Sequence, residues 1–308
     1  MRFAFIMDPL DGVNAKKDTS YFLMLAAREL GHEVFYLNHH DLVVLEGEVG
    51  APISAVDVHA DITNPFTVLD QRHRPLGDMD VVLVRTDPPF DRRYFYMTLL
   101  LDLLPASTRV VNRPSGLRNW NEKLAAVHFP HLTPKTLVSR DADEINSFAR
   151  EVGRLTLKPI DGHGGAGIRF MDADDGSDAI DDVTHKGSHW IIAQAYLPEA
   201  RQGDKRVLIL NGEPLGAILR LHAADAELNN LDQGGTANPV ELNQADLDIC
   251  AALKPGLLEQ GIVFSGIDVI GDRLIEVNVT SPTGLQELCR FTDTPFHHRI
   301  IQHLCTRA

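Results

Sequence analysis

The stretch "LTLKPIDGHGGAGIRFM" at 155–171 constrains the fold more than any other: a β-like run, four glycines within six residues, then a second β-like run. Gly162, Gly164 and Gly167 spell G-x-G-x-x-G, the dinucleotide fingerprint. That fold needs a helix directly after the glycines, because the pyrophosphate sits on the helix N-terminus. Here Ile168 and Phe170 alternate with polar Arg169 and an acidic run follows, which is a strand pattern. The nicotinamide or flavin reading fails in its own context. A G-x-x-x-x-G-K-[ST] phosphate loop fails too, since no Lys-Ser or Lys-Thr follows. What remains is a glycine-rich hairpin tip whose successive backbone N–H groups form a nest for an anion, glycine permitting the close approach. Lys158 ends the preceding strand and is placed to set a cation under the same phosphates. Lys123, in "NEKLAA", offers a second.

The other informative stretch is "FSGIDVIGDRLIEVNVTSP". Ile267, Val269, Ile275, Val277 and Val279 read as one apolar face, and Asp268, Glu276 and Asn278 as polar positions in otherwise apolar strands. Glu276 and Asn278, two apart, share a face. A two-residue Gly271-Asp272 turn would pair Asp268 with Ile275. A three-residue Gly271-Asp272-Arg273 loop sets Asp268 opposite Glu276 and makes both apolar faces coincide, so this register is predicted. Two carboxylates at roughly 5 Å repel unless a cation lies between them. With an amide oxygen beside them they make an all-oxygen site suited to Mg²⁺.

Around these hairpins the chain divides in three. The first third alternates strand ("RFAFIM", "EVFYL", "MDVVLVR") with helix ("KKDTSYFLMLAAREL", Tyr94–Leu104) and predicts a parallel sheet. Residues 42–75 read as an antiparallel insertion. Boundaries near 120 and 203 give an N-terminal α/β domain (1–120), a central α+β unit with the glycine loop (121–202) and a C-terminal unit with the carboxylate hairpin (203–308). Ala223–Asn238 reads as a long polar loop.

The 308 residues carry a net charge of −14, which argues against non-specific nucleic-acid binding, a process that depends on surplus Lys and Arg. Cys250, Cys289 and Cys305 are odd in number and far apart, which suits a reducing cytosol. No apolar run reaches membrane-spanning length, and a cytoplasmic protein is expected. No Ser-His-Asp or Cys-His constellation stands out. The fourteen histidines, His39-His40 and His297-His298 included, have no paired metal spacing and read as surface or core residues.

The two hairpins, in this order and about 110 residues apart, resemble the ATP-grasp superfamily with a Rossmann-like N-terminal domain. Nearly end to end, the chain is similar to the bacterial glutathione synthetase family. The carrying stretches are "MDP", "KKDTS", "DPPFD" (87–91), "NEKL" (121–124), "LKPIDGHGGAGI" (157–168), "AQAYLPEARQGDKRVLILNGEP" (193–214) and "GIDVIGDRLIEVNVTSPTG" (266–284). The resemblance implies a ligase that joins a carboxylate to an amine through an acyl phosphate, with γ-glutamylcysteine and glycine as substrates. ATP is implied with Mg²⁺, two ions being expected and Mn²⁺ an expected substitute, and so is a homo-oligomer, dimer or tetramer.

By the same resemblance, Lys123 and Lys158 contact the ATP phosphates while Gly164, Gly165 and Ala166 close over them. Gln194, Tyr196 and Leu197 hold adenine, and Asp204 lies near the ribose. Asp268, Glu276 and Asn278 hold magnesium. Arg206, Arg220 and Asn230 face the transferring phosphate, and Asp8, Arg85, Ser281 and Thr283 belong to the substrate side. The pattern departs from the family at Leu228 and Gln286, where arginines are usual, and at Thr86. Two further readings therefore stay open: a related ligase with a different acyl donor or amine, and a nucleotide-binding protein of this fold without turnover.

Overall fold

The structure, a computed structural model, describes residues 1–175, 178–221 and 235–306. The N-terminal third builds a mixed sheet of β1 (Arg2–Ile6), β2 (Glu33–Leu37), β3 (Val43–Leu45), β4 (Glu48–Val58), β5 (Phe66–Pro75), β6 (Val81–Val84) and β7 (Arg109–Val111). Its order is β3-β4-β2-β1-β6-β7, with β5 pairing with β4. Strands β1, β2, β6 and β7 run parallel, and β3–β5 are the antiparallel insertion expected from residues 42–75. Helix α1 (Thr19–Glu29) starts where Asp18 accepts a bond from the Tyr21 N–H at 2.7 Å, an N-cap that satisfies one orphan donor. Helix α2 (Arg92–Leu101) starts two residues earlier than its apolar run suggests, because Asp91 caps it through the Arg93 and Tyr94 N–H groups. Short helices α3 (Pro114–Asn119) and α4 (Leu124–Val127) lead out of this unit.

The central unit is an antiparallel sheet of order β10-β9-β11-β8, from β8 (Thr136–Ser139), β9 (Arg154–Pro159), β10 (Arg169–Asp172) and β11 (Ile191–Ala195). Helices α5 (Ala142–Val152) and α6 (Asp178–Thr184) pack on it. The C-terminal sheet has order β14-β13-β12-β15-β16, from β12 (Asp204–Leu210), β13 (Glu213–Leu221), β14 (Thr236–Val240), β15 (Phe264–Ile270) and β16 (Arg273–Asn278). It is completed by α7 (Gln244–Gln260), α8 (Leu285–Thr292) and α9 (Phe296–Cys305). Thr236–Asn238, read from sequence as loop, belong to β14 and pair with β13.

The cores divide unevenly. Ile145, Leu155, Leu157, Met171, Ile180 and Ile191 form a cluster inside the central unit alone. The N-terminal and C-terminal units share theirs: Ala4, Ile6 and Leu117 belong to one cluster with Val207, Leu253 and Ile267. The outer units are thus one packed body, with the central sheet as a separate one.

The carboxylate hairpin corrects the sequence reading in detail. Asp268 does pair with Glu276, but Ile270 pairs with Arg273, so the turn is the two-residue Gly271-Asp272 type. A bulge on β16 reconciles the two, since one extra residue shifts the facing of everything beyond it. Leu274 rather than Ile275 takes the fully buried position beside Val269 and Val277, while Ile275 turns to the cleft described next.

Candidate active site

A cleft of about 500 Å³ opens between the central and C-terminal sheets, a size typical of small-molecule sites. Its roof is the hairpin tip between β9 and β10. Gly164, Gly165 and Gly167 have φ of 58°, 80° and 74°, the left-handed region that L side chains avoid. A methyl group on Gly167 would also lie 2.8 Å from Pro159 Cγ. Strand β10 follows directly, pairing Arg169 with Leu157, so the loop leads into a strand as its sequence predicts.

Two lysines stand beneath this roof. Lys158 is buried at the end of β9 and donates to Gln194 Oε1 at 2.8 Å, while Gln194 Nε2 donates to Thr136 Oγ1 at 2.9 Å. Burial pushes the Lys158 ammonium down to about 8, against the opposing pull of Glu276. Lys123 donates to the Gly162 carbonyl and, at 3.2 Å, to Glu276 Oε1, so it ties the roof to the floor. The neighbouring Glu122, not singled out from sequence, is a half-buried anchor. It accepts from the Val279 and Thr280 N–H groups at 2.8 and 2.9 Å and from Thr280 Oγ1 at 2.8 Å. Burial, reinforced by Glu276, raises its carboxyl.

At one end of the cleft, Tyr196 and Phe170 meet edge to face at 5.7 Å. The Arg154 guanidinium lies over both rings, 4.5 Å from Tyr196 and 5.5 Å from Phe170. Leu197 lines the same wall. Phe170 reads from sequence only as a strand residue and Arg154 is not singled out, and no pattern within β9 or β10 signals that Tyr196 completes the stack.

The floor is an ionic lattice written in strand register. Arg206 of β12 pairs across the ladder with Asp268 of β15, and Asp204 with Arg220 of β13. Arg206 Nε and Nη2 bond Asp268 at 2.5 and 3.1 Å. Arg220 makes a two-pronged pair with Asp204 at 2.8 and 2.6 Å and reaches Asp268 Oδ2 at 3.0 Å. Burial opposes ionisation of Asp268, but the two guanidiniums outweigh it and hold the carboxyl well below the usual range. Asn278 Nδ2 donates to Asp268 Oδ2 at 3.3 Å. Asp268, Glu276 and Asn278 all line the cleft and present oxygen donors, a set that fits a hard dication.

The substrate-side residues separate. Ser281 and Thr283 line the cleft; Asp8 and Arg85 do not. Arg85, expected to face the acyl donor, is 5% exposed. Its Nε donates to Ser20 Oγ at 3.0 Å and its Nη2 to the Pro282 carbonyl at 3.1 Å, so it supports the 281–283 loop from beneath. Asp8 acts at one remove too, accepting from the N–H of cleft-lining Asp87 at 2.9 Å. Gln286, at a position where the family usually carries arginine, donates from Nε2 to the Ala15 and Asp18 carbonyls at 3.1 and 2.7 Å. Asn230 and Leu228 lie outside the described residues.

An N-terminal α/β unit followed by two facing α+β sheets, with a glycine roof and a carboxylate floor, is the ATP-grasp architecture. D-cycloserine synthetase DcsG shares the fold at a TM-score of 0.68 and 15% identity, over 99% of this chain and 100% of that one. The ATP-grasp ligase PsnB complexed with minimal precursor does so at 0.65 and 17%, over 98% and 97%. The sequence narrows this class. The model for the prokaryotic glutathione synthetase N-terminal domain matches residues 1–118 and that for its ATP-grasp domain matches 122–293. The chain belongs to the prokaryotic glutathione synthetase family, whose members are ATP-grasp ligases that form an amide bond. Glutathione synthetase of Bradyrhizobium diazoefficiens is 41% identical over 94% of this chain and 93% of that protein. That of Synechocystis is 38% identical over 98% of each. Among the described residues no helix is long and apolar enough to cross a membrane.

Proposed function

We propose that this protein joins γ-glutamylcysteine to glycine at the cost of ATP, yielding glutathione, ADP and phosphate. The observation that carries the reading is the convergence of Lys123, Lys158, Arg206 and Arg220 with the Asp268–Glu276 pair in one cleft under a glycine roof. Adenine stacks in the Tyr196–Phe170 wall beside Leu197, with Asp204 at the ribose end. Gly164, Gly165 and Ala166 cover the phosphates and the two lysines neutralise them. Asp268, Glu276 and Asn278 hold the magnesium, two ions in our reading with Mn²⁺ able to replace them, and the metal supplies charge neutralisation on the phosphates.

The dipeptide carboxylate oxygen takes the γ-phosphoryl group and ADP leaves. The glycine nitrogen then attacks the acyl carbon, phosphate departs with the C–O electron pair, and the amine gives up a proton. Arg206 and Arg220 exchange their carboxylate partners for the equatorial oxygens of the moving phosphoryl group, where charge accumulates. Asn230 joins them in this proposal, and Ser281 and Thr283 bind the acyl donor on a loop that Arg85 supports. The chain works as a homo-oligomer in a reducing cytoplasm, consistent with three free cysteines.

A second reading, a related ligase with another acid or amine, is favoured by one observation. The Gln286 amide is spent on two backbone carbonyls and supplies no cation for a substrate carboxylate. Phosphate release from Mg·ATP and γ-glutamylcysteine, with and without glycine, separates the two. Glycine-dependent turnover on the order of 1–1000 per second supports the first. ATP binding without glycine-dependent release supports the second and sends the work to a screen of acids and amines.

A further inference from the structure

The adjacent pair His297-His298 gains a metal-ligand partner from a distant part of the chain. Glu29, the last residue of α1, lies against the first turn of α9, and the ligand atoms of Glu29, His297 and His298 all fall within 4.8 Å of one another. None of the three lines the ATP cleft.

Both imidazoles are held in place. The His297 ring stacks on Phe22 of α1, with centroids 3.9 Å apart and planes at 22°, and its Nδ1 lies 3.6 Å from Cys289 Sγ. His298 Nε2 is 2.7 Å from Glu29 Oε2. Rings fixed by their surroundings lose little freedom on taking up an ion, which is what neighbouring contacts do in known metal sites. Glu29 sits at the C-terminal end of α1, where the helix dipole already places partial negative charge. A carboxylate there gains from a cation. The His298 and Glu29 side chains are 31% and 39% exposed, so an ion enters from solvent and water completes its shell.

Two imidazole nitrogens and one carboxylate oxygen are the donors of borderline dications, Zn²⁺ first among them. Mg²⁺ demands oxygen ligands and keeps its own waters, so the cation of the ATP cleft does not compete here. We propose that Glu29, His297 and His298 form a binding site for a transition-metal dication of the Zn²⁺ class, separate from the catalytic cleft. The site staples α1, from the first third of the chain, to the last helix, and its stabilising effect grows with free metal by mass action.

The test uses the untagged full-length chain at pH 7.5 in saturating Mg²⁺, with Zn²⁺ titrated against a chromogenic chelator and Co²⁺ absorption as a spectroscopic check. One equivalent of Zn²⁺ that Mg²⁺ fails to displace, with a raised Tm, is expected. His298→Ala should remove it, Glu29→Gln should weaken it about tenfold or more, and Asp268→Asn should leave it in place. Melting each variant without Zn²⁺ verifies its fold, and Glu29→Gln, an exposed isosteric change, serves if the histidine variant fails to fold. The proposal is overturned if the wild-type chain binds no equivalent under Mg²⁺, or if either Glu29→Gln or the folded His298→Ala chain binds Zn²⁺ as the wild type does.

Discussion

Asp268 and Glu276 face each other across a hairpin only because Ile275 is bulged out of the ladder between them and the turn. Each carboxylate leans on its own cations, Asp268 on Arg206 and Arg220, Glu276 on Lys123. The two are therefore not interchangeable. Asp268 is buried and doubly paired, so removing its charge leaves the buried Arg206 guanidinium without a carboxylate, while Arg220 keeps Asp204, a loss of about 3–5 kcal/mol. Glu276, with a side chain 21% exposed, reports on metal with less damage to the fold. Glu276→Gln is expected to raise the Mg²⁺ concentration for half-maximal turnover by about tenfold or more with Tm little changed. An unchanged Mg²⁺ requirement would remove Glu276 from the metal site.

Lys158 is expected to set a pH limit on nucleotide affinity. Its ammonium, lowered to about 8 by burial, is charged below that pH and neutral above it. ATP favours the charged form, so affinity is full below pH 8 and falls above it, by at most tenfold per pH unit for a single group. Binding near pH 8.5 should take up a proton, visible in calorimetry as a heat that depends on the buffer's ionisation enthalpy. Lys158→Arg should flatten the profile over pH 7–9. If the wild-type affinity is itself flat there, the lysine is not the titrating group.

Gln286 holds the loop before α1 through the Ala15 and Asp18 carbonyls. Gln286→Ala should cost about 1–2 kcal/mol at that loop, read as a KM for the acyl donor raised about five- to thirtyfold with the Kd of ATP unchanged. Equal losses toward both substrates would point to general destabilisation instead.

The separate core of the central sheet should appear as a separate melting event. Leu155 is fully buried there, and Leu155→Ala should cost about 2–5 kcal/mol. Calorimetry is expected to split into two transitions, with Mg·ATP moving the lower one upward. A single transition that shifts as a whole would show the central unit coupled to the rest.

Much of this was legible in the sequence. The strand after the glycines excludes a dinucleotide fold from sequence alone, because alternation at Ile168–Phe170 is a local signal. The pairing of Asp268 with Glu276 was legible too, since burying apolar side chains together fixes register. How the chain achieves it was not, because a bulge leaves no mark in hydrophobic alternation, and Leu274 and Ile275 are equally apolar. Arg85 is placed on the substrate side by the family resemblance alone, and its support of the 281–283 loop could not be read from sequence, because its neighbours Ser20 and Pro282 are 65 and 197 residues away. Glu29 with His297-His298 lay beyond sequence reading altogether, as the partners are 269 residues apart at the widest.

The central sheet keeps its core to itself while the outer units share theirs. For chains that recombine in nature or in the laboratory, breakpoints just before β8 and just after β11 exchange the glycine roof together with Lys158 and Gln194 and leave the central hydrophobic cluster unsplit between parents. The loop carrying Ser281 and Thr283, built on the other body with its Arg85 support, is inherited as a block of its own.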